Sequence, residues 1–134
     1  MNESNKSINI QMGVQRGEES LRAAQLLFEQ GLWRDSISRS YYAAYHMVRA
    51  LLLTLGLESR SHAGAQSLFS LHFVKKGILE PKYARILSKA QKFREESDYD
   101  PVSEFIKEDA SERLAEVNDL IEKAKAHLKL EKFL

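Results

Sequence analysis

Apolar residues recur every three or four positions along most of this chain, and that helical period most constrains its fold. The sequence holds only six glycines and two prolines. Gly31, Gly56 and Gly77 each follow an apolar-periodic segment, as residues just past a helix C-terminus do. Pro81 suits the first turn of a helix, and Pro101 lies in a break between two segments. Since no alternating strand pattern is present, the sequence predicts an all-α protein.

Five helices are predicted between these boundaries, with short connections that favour antiparallel neighbours and therefore an up-and-down bundle. Asp35 is predicted to cap the second helix, and the apolar stripe of this helix ends at Leu55. The inward positions of the fifth helix begin at Ile106. A chain of 134 residues fits one domain, residues 1–134, with a core over about residues 8–128. The predicted helices are Ile8–Gln30, Asp35–Leu55, Ser61–Lys76, Pro81–Glu96 and a fifth that starts at Ser103. Trp33, Tyr42 and Leu53 fall outside the inward stripe of the second helix, and this second apolar surface predicts a homodimer.

Composition narrows the possible functions. Twenty basic against nineteen acidic side chains leave a formal charge of +1, which argues against a general polyanion binder but allows a local basic patch. The absence of cysteine excludes disulfides, thiol catalysis and thiolate metal sites, and it fits a reducing compartment. The polar N-terminus has no signal-peptide core, and the apolar run Leu51–Leu55 is too short to cross a bilayer. We therefore expect a cytoplasmic protein without membrane association.

Arg39 and His46 are the strongest candidates for chemistry. They are seven residues apart on the second predicted helix, about 20° apart around its axis, on the side opposite the apolar stripe. In one interpretation Arg39 forms an ion pair with Asp35 and His46 forms hydrogen bonds within the bundle. In the other, Arg39 holds an RNA phosphate, while His46 acts as a base on a ribose 2′-hydroxyl or as an acid on the leaving oxygen. The second interpretation predicts metal-independent cleavage of RNA.

Four further residues are candidates for substrate binding. Tyr42 and Arg49 share the side of Arg39, where Tyr42 could stack on a base or line a dimer seam. His62 begins the third helix, where it could face a phosphate or serve as a surface cap. Arg94 could bond Asp98 and fix the following loop, or it could reach the Arg39 and His46 site. The four histidines are scattered without a His-x-x-x-His spacing, so no metal site and no cofactor are predicted.

Three blocks of the sequence resemble the signature blocks of prokaryotic HEPN-domain proteins: Ser38–His46, Ser61–Gly64 and Arg94–Tyr99. The resemblance spans residues 17–128, and it implies an all-helical, five-helix HEPN bundle that is usually dimeric. Many such proteins are ribonuclease toxins encoded beside a small nucleotidyltransferase that serves as antitoxin, while others serve only as binding partners. Arg39, Ser40 and His46 match the arginine, polar residue and histidine of the HEPN ribonucleases.

The resemblance and the residues together predict a HEPN-type metal-independent endoribonuclease, the toxin of a toxin–antitoxin pair. Arg39 and His46 would be catalytic, and one copy of each from two protomers would flank a cleft for single-stranded RNA. The alternative is a catalytically inactive HEPN module that docks a nucleotidyltransferase or a nucleotide.

Overall fold

The computed structural model describes residues 2–134 and confirms an all-α fold with five α-helices and no strand in that range. A π-helical turn, Ser70–Val74, directly follows the third helix. No helix within residues 2–134 is long and apolar enough to span a bilayer. The helices are α1, Glu3–Glu29; α2, Trp33–Leu53; α3, His62–Phe69; α4, Pro81–Tyr99; and α5, Lys107–Leu130.

Helix α2 lies at the centre and packs against α1, α4 and α5. Its predicted apolar stripe is buried at every position except the last: Ile37, Tyr41, Ala44, Val48, Leu51 and Leu52 are at most 1% exposed. Leu55 is 48% exposed, because α2 ends at Leu53 and Leu55 lies in the turn before Gly56. Ala43, Met47 and Ala50 lie outside this stripe and are buried as well.

The predicted helix ends at the three glycines are confirmed. Gly31, Gly56 and Gly77 have φ angles of +76°, +70° and +75°, the left-handed conformation that closes a helix and that glycine adopts without a Cβ penalty. The predicted cap at Asp35 is wrong. Helix α2 begins at Trp33, with Leu32 in the cap position, so Asp35 lies in the first turn, where its charge favours the helix dipole.

Two glycines bring α1 unusually close to α2. A Cβ on Gly17 would lie 3.2 Å from the carbonyl oxygen of Ala43 and 3.2 Å from Cε of Met47. A Cβ on Gly13 would lie 3.4 Å from Cβ of Ala50, an ordinary contact. Because the two glycines are one turn apart, a short stretch of α1 lies against the backbone of α2. Side chains on this stretch of α1 consequently reach the polar side of α2.

The third predicted helix is not one continuous α-helix. Helix α3 ends at Phe69, and the π-helical turn closes with a hydrogen bond from the Lys75 N–H to the Ser70 carbonyl. Phe69 and Phe73 are both buried, with ring centroids 5.8 Å apart. The inward position in this turn is taken by Phe73, four residues after Phe69, while His72 is half-buried.

The fifth helix begins four residues later than predicted, at Lys107, and the predicted inward residue Ile106 is 58% exposed. Arg34 of α2 holds the preceding loop in place. Its guanidinium donates to the carbonyl oxygens of Ser97 (2.5 Å), Asp100 (3.1 Å) and Ser103. The same side chain lies 5.1 Å from the Phe105 ring centroid. These contacts keep residues 100–106 out of α5, which starts only where Asp109 accepts from the Ile106 N–H.

Candidate functional site

Arg39 and His46 line one open cleft, as the sequence predicts from their spacing. The cleft holds about 490 Å³ between α2, the end of α1 and the end of α4. Arg39 is exposed, and its guanidinium carbon lies 5.7 Å from the Tyr42 ring centroid. Among residues 2–134 no carboxylate lies within 4.0 Å of Arg39, so the predicted ion pair with Asp35 is not formed. The guanidinium is thus open to an anion from solution. The cleft is lined by Leu27, Asp35, Ser38, Arg39, Tyr42, His46 and Asp98.

His46 is half-buried and forms part of the walls of two clefts. Burial lowers the pKa of the His46 imidazole, and the positive charges of Arg16, Arg49 and Arg39 lower that pKa further. The ring is therefore mainly neutral near pH 7, with a nitrogen lone pair that can accept a proton. The neutral imidazole is the form that a general base requires.

The second cleft lies between α1 and α2 and holds about 370 Å³. Arg49 lines it, and its guanidinium carbon lies 5.7 Å from the Tyr45 ring centroid. Arg16 of α1 lines the same cleft, although sequence reasoning did not identify it. The signal that could have found Arg16 is the pair Gly13 and Gly17, whose one-turn spacing predicts close helix packing beside it.

His62 lies in an aromatic cluster, and neither cleft includes it in its lining. Its Nδ1 lies 2.5 Å from the Tyr41 hydroxyl, and its ring lies 4.5 Å from the Tyr45 ring and 6.4 Å from the Tyr42 ring, between centroids. Burial raises the pKa of Tyr41, while burial and then Arg94 lower the pKa of His62. Both side chains are therefore mainly uncharged near pH 7, and one hydrogen bond joins the Tyr41 hydroxyl to Nδ1 of His62. Ser61, not His62, caps α3, because its hydroxyl accepts from the Gly64 N–H at 2.9 Å.

Arg94 is 5% exposed and packs among the rings of Tyr41, Tyr42 and Tyr99, at 5.3, 5.7 and 5.7 Å from their centroids. The predicted bond to Asp98 is present, with Nη1 and Oδ2 3.4 Å apart. Asp98 also lines the Arg39 cleft. Since the Tyr42 ring lies against both Arg39 and Arg94, the end of α4 is tied to the site through this tyrosine and through Asp98.

A larger groove, of about 760 Å³, lies elsewhere, between α3 and α4. Arg85, Lys89 and Lys92 line it, but no histidine does. Without a histidine, this groove lacks the imidazole that the acid–base chemistry considered for His46 requires. Across residues 2–134, no three His, Cys, Asp or Glu side chains converge as metal ligands would.

An all-helical bundle with an arginine and a histidine one heptad apart, both facing a cleft, is the arrangement expected of a HEPN protein. The family model for the HEPN domain matches residues 10–128. The chain therefore belongs to the HEPN domain family.

Three relatives extend this comparison. "Putative toxin MJ0605" of Methanocaldococcus jannaschii is 39% identical over 127 residues, which cover 93% of this chain and 94% of the relative. "Putative toxin MJ0142" of the same organism is 30% identical over 115 residues, 86% of this chain and 78% of the relative. "UPF0332 protein PH1297" of Pyrococcus horikoshii is 49% identical over 71 residues, 53% of this chain and 50% of the relative.

Proposed function

We propose that this HEPN protein is a metal-independent endoribonuclease whose catalytic residues are Arg39 and His46. One observation carries the proposal: Arg39 and His46 line the same open cleft. The guanidinium of Arg39 has no carboxylate partner there, and the lowered pKa of His46 keeps its imidazole mainly neutral. A neutral imidazole can accept a proton, and a free guanidinium can bind a phosphate with two parallel hydrogen bonds. Together they supply a base for a ribose 2′-hydroxyl and a cation for the phosphate that it attacks.

The chemistry assigns one role to each residue. His46 removes the proton of the 2′-hydroxyl, and the 2′-oxygen forms a bond to phosphorus as the bond to the 5′-oxygen breaks. The leaving 5′-oxygen takes a proton from water, and a 2′,3′-cyclic phosphate remains on the other fragment. Arg39 donates to the non-bridging oxygens, whose negative charge grows in the transition state. The reaction needs a 2′-hydroxyl, so the substrate is RNA.

Tyr42 and Arg94 support the site in this proposal. The centroid of the Tyr42 ring lies 5.7 Å from the guanidinium carbon of Arg39 and 5.7 Å from that of Arg94. Tyr42 therefore restricts the orientation of Arg39, and its exposed part offers a surface on which a base can stack. Arg94 fixes Tyr42 from within the protein and is too buried to contact RNA itself.

We further propose that the protein is the toxin of a toxin–antitoxin pair. Two relatives that match most of this chain carry the name "Putative toxin", which supports this assignment. The resemblance to HEPN toxins implies a homodimer, with the cleft of one protomer beside that of its partner, and an antitoxin of the nucleotidyltransferase type. In that arrangement a dimer doubles the number of arginines along one RNA path.

The test is cleavage of a labelled RNA pool by the purified protein, with and without a chelator. Removing a general base typically costs 10²- to 10⁴-fold, so His46→Ala should lower cleavage by at least about 100-fold, and Arg39→Ala should do the same. Arg22→Ala is the matched control, because Arg22 is an exposed arginine of α1 outside both clefts. Helicity should be unchanged in all three variants, and the chelator should have no effect on the parent.

Two outcomes would contradict the proposal. If Arg39→Ala and His46→Ala both cleave as well as the parent, the site is assigned to the wrong residues. If the parent binds a nucleotidyltransferase tightly but cleaves no RNA above a heat-inactivated control, the protein is the non-catalytic HEPN module instead.

A further inference from the structure

We propose that Arg16 and Arg49 form a second phosphate-binding subsite, which holds the RNA backbone on the side of His46 away from Arg39. This inference rests on the proposed ribonuclease function and adds to it the path of the RNA strand. The subsite is the cleft between α1 and α2, which both arginines line and which has His46 in its wall.

The first argument is the position of the two clefts relative to His46. The Arg39 cleft and the Arg16–Arg49 cleft share this one histidine. Arg39 and Arg49 are ten residues apart on α2, which separates their backbones by about 15 Å along the axis. At about 3.4 Å per stacked nucleotide that distance corresponds to roughly four nucleotides. Because the two clefts meet at His46, a short strand that passes over this residue can place one phosphate in each of them.

The second argument is charge. Among residues 2–134 neither Arg16 nor Arg49 has a carboxylate within 4.0 Å. Glu58 is the one acidic residue in the lining of this cleft, so the two guanidiniums leave it with a net positive charge. After burial of the ring, the positive charge of Arg16 is the next cause that lowers the pKa of His46, which agrees with its place in the same cleft. Such a cleft favours an anion, and beside a ribonuclease site the anion is an RNA phosphate.

The third argument is that the backbone holds this subsite in place. Arg16 comes from a different helix than His46, and the two line one cleft because Gly13 and Gly17 let α1 lie against α2. Arg49 is steadied by its packing on the Tyr45 ring. The two cations are therefore positioned on packed helices, whereas cations on a mobile loop would have no fixed spacing.

The test separates binding from cleavage by measuring RNA affinity in the His46→Ala background. A fluorescein-labelled single-stranded 12-nucleotide RNA is titrated by anisotropy with the Arg16→Gln, Arg49→Gln and Arg22→Gln variants. We expect Arg16→Gln and Arg49→Gln each to weaken binding about 5- to 10-fold at low salt and to reduce the slope of log K against log salt by about 0.7. Arg22→Gln should change neither, and Arg16→Lys should keep most of the affinity.

A neutral backbone linkage tests the contact directly. In a series of RNAs, one phosphate at a different position in each is replaced by an uncharged methylphosphonate. At the position that Arg16 contacts, Arg16→Gln should not weaken binding beyond the effect of the methylphosphonate itself. The inference is overturned if Arg16→Gln and Arg49→Gln bind RNA like Arg22→Gln, even when the parent cleaves RNA. Conversely, RNA binding that depends on Arg16 and Arg49 in a protein that never cleaves RNA would refute the ribonuclease proposal and leave the subsite standing.

Discussion

The close contact between α1 and α2 can be tested with alanine at each of its two glycines. Inside a helix, alanine is favoured over glycine by about 1 kcal/mol. At Gly13 the added Cβ meets Ala50 at an ordinary 3.4 Å, so we expect Gly13→Ala to raise the free energy of unfolding by up to about 1 kcal/mol. At Gly17 the added Cβ lies 3.2 Å from the carbonyl oxygen of Ala43, which cannot move unless α2 moves. Overpacking of this kind costs about 1–3 kcal/mol, which equals or exceeds the gain in helix propensity.

Gly17→Ala should therefore be less stable than Gly13→Ala by about 1–3 kcal/mol. Urea denaturation followed by far-UV circular dichroism measures the difference, and in a chain of this size 1 kcal/mol corresponds to about 4 °C in Tm. Gly17→Ala should also raise the pKa of His46, measured by NMR titration, because α1 moves away and carries Arg16 with it. If Gly17→Ala is as stable as Gly13→Ala, the helices are not in the contact that places Arg16 beside His46.

Three further predictions follow from the site and its supports. Arg16→Gln removes a positive charge that lowers the pKa of His46, so the acid limb of the pH profile of kcat/KM should move to higher pH, while Arg22→Gln should leave it in place. His46 and His62 both have a lower pKa in the folded protein than in the unfolded chain, so the unfolded chain binds more protons below about pH 6.5. The protein should therefore be less stable at pH 5.5 than at pH 7.5, and the urea concentration at the unfolding midpoint should be lower at pH 5.5. An unchanged midpoint would contradict these pKa shifts. Arg34→Ala removes the donor shared by the carbonyls of Ser97, Asp100 and Ser103, so amide exchange in residues 100–106 should accelerate, while exchange in α1 should stay as in the parent.

The sequence was sufficient to predict the five helices and the shared position of Arg39 and His46 on one side of α2, because both depend on local patterns. Helical periodicity fixed which side of α2 is core, and the seven-residue spacing put Arg39 and His46 together on the other side. The glycines at positions 31, 56 and 77 marked helix ends because a helix often closes with a residue of positive φ, which glycine adopts readily. Such features are set within a few turns of one helix.

The features that the sequence did not reveal depend on contacts between distant segments. The start of α5 is set by Arg34, about seventy residues earlier, whose hydrogen bonds hold residues 100–106 as a loop. His62 looked like a helix-start residue open to phosphate, but Tyr41 of α2 binds its ring. Arg16 became a site residue only through the approach of α1 to α2. No pattern along the chain encodes these neighbours directly.

The most direct test of the proposed mechanism is cleavage of an RNA in which one nucleotide is changed. A short labelled RNA is first mapped for its main cleavage position, and the ribose on the 5′ side of that bond is then replaced by 2′-deoxyribose. In the presence of a chelator, the parent protein should lose cleavage at that bond alone, and mass spectrometry should find 2′,3′-cyclic phosphate ends at the remaining positions. Undiminished cleavage at the deoxy position would contradict the account, because His46 would then have no 2′-hydroxyl to deprotonate.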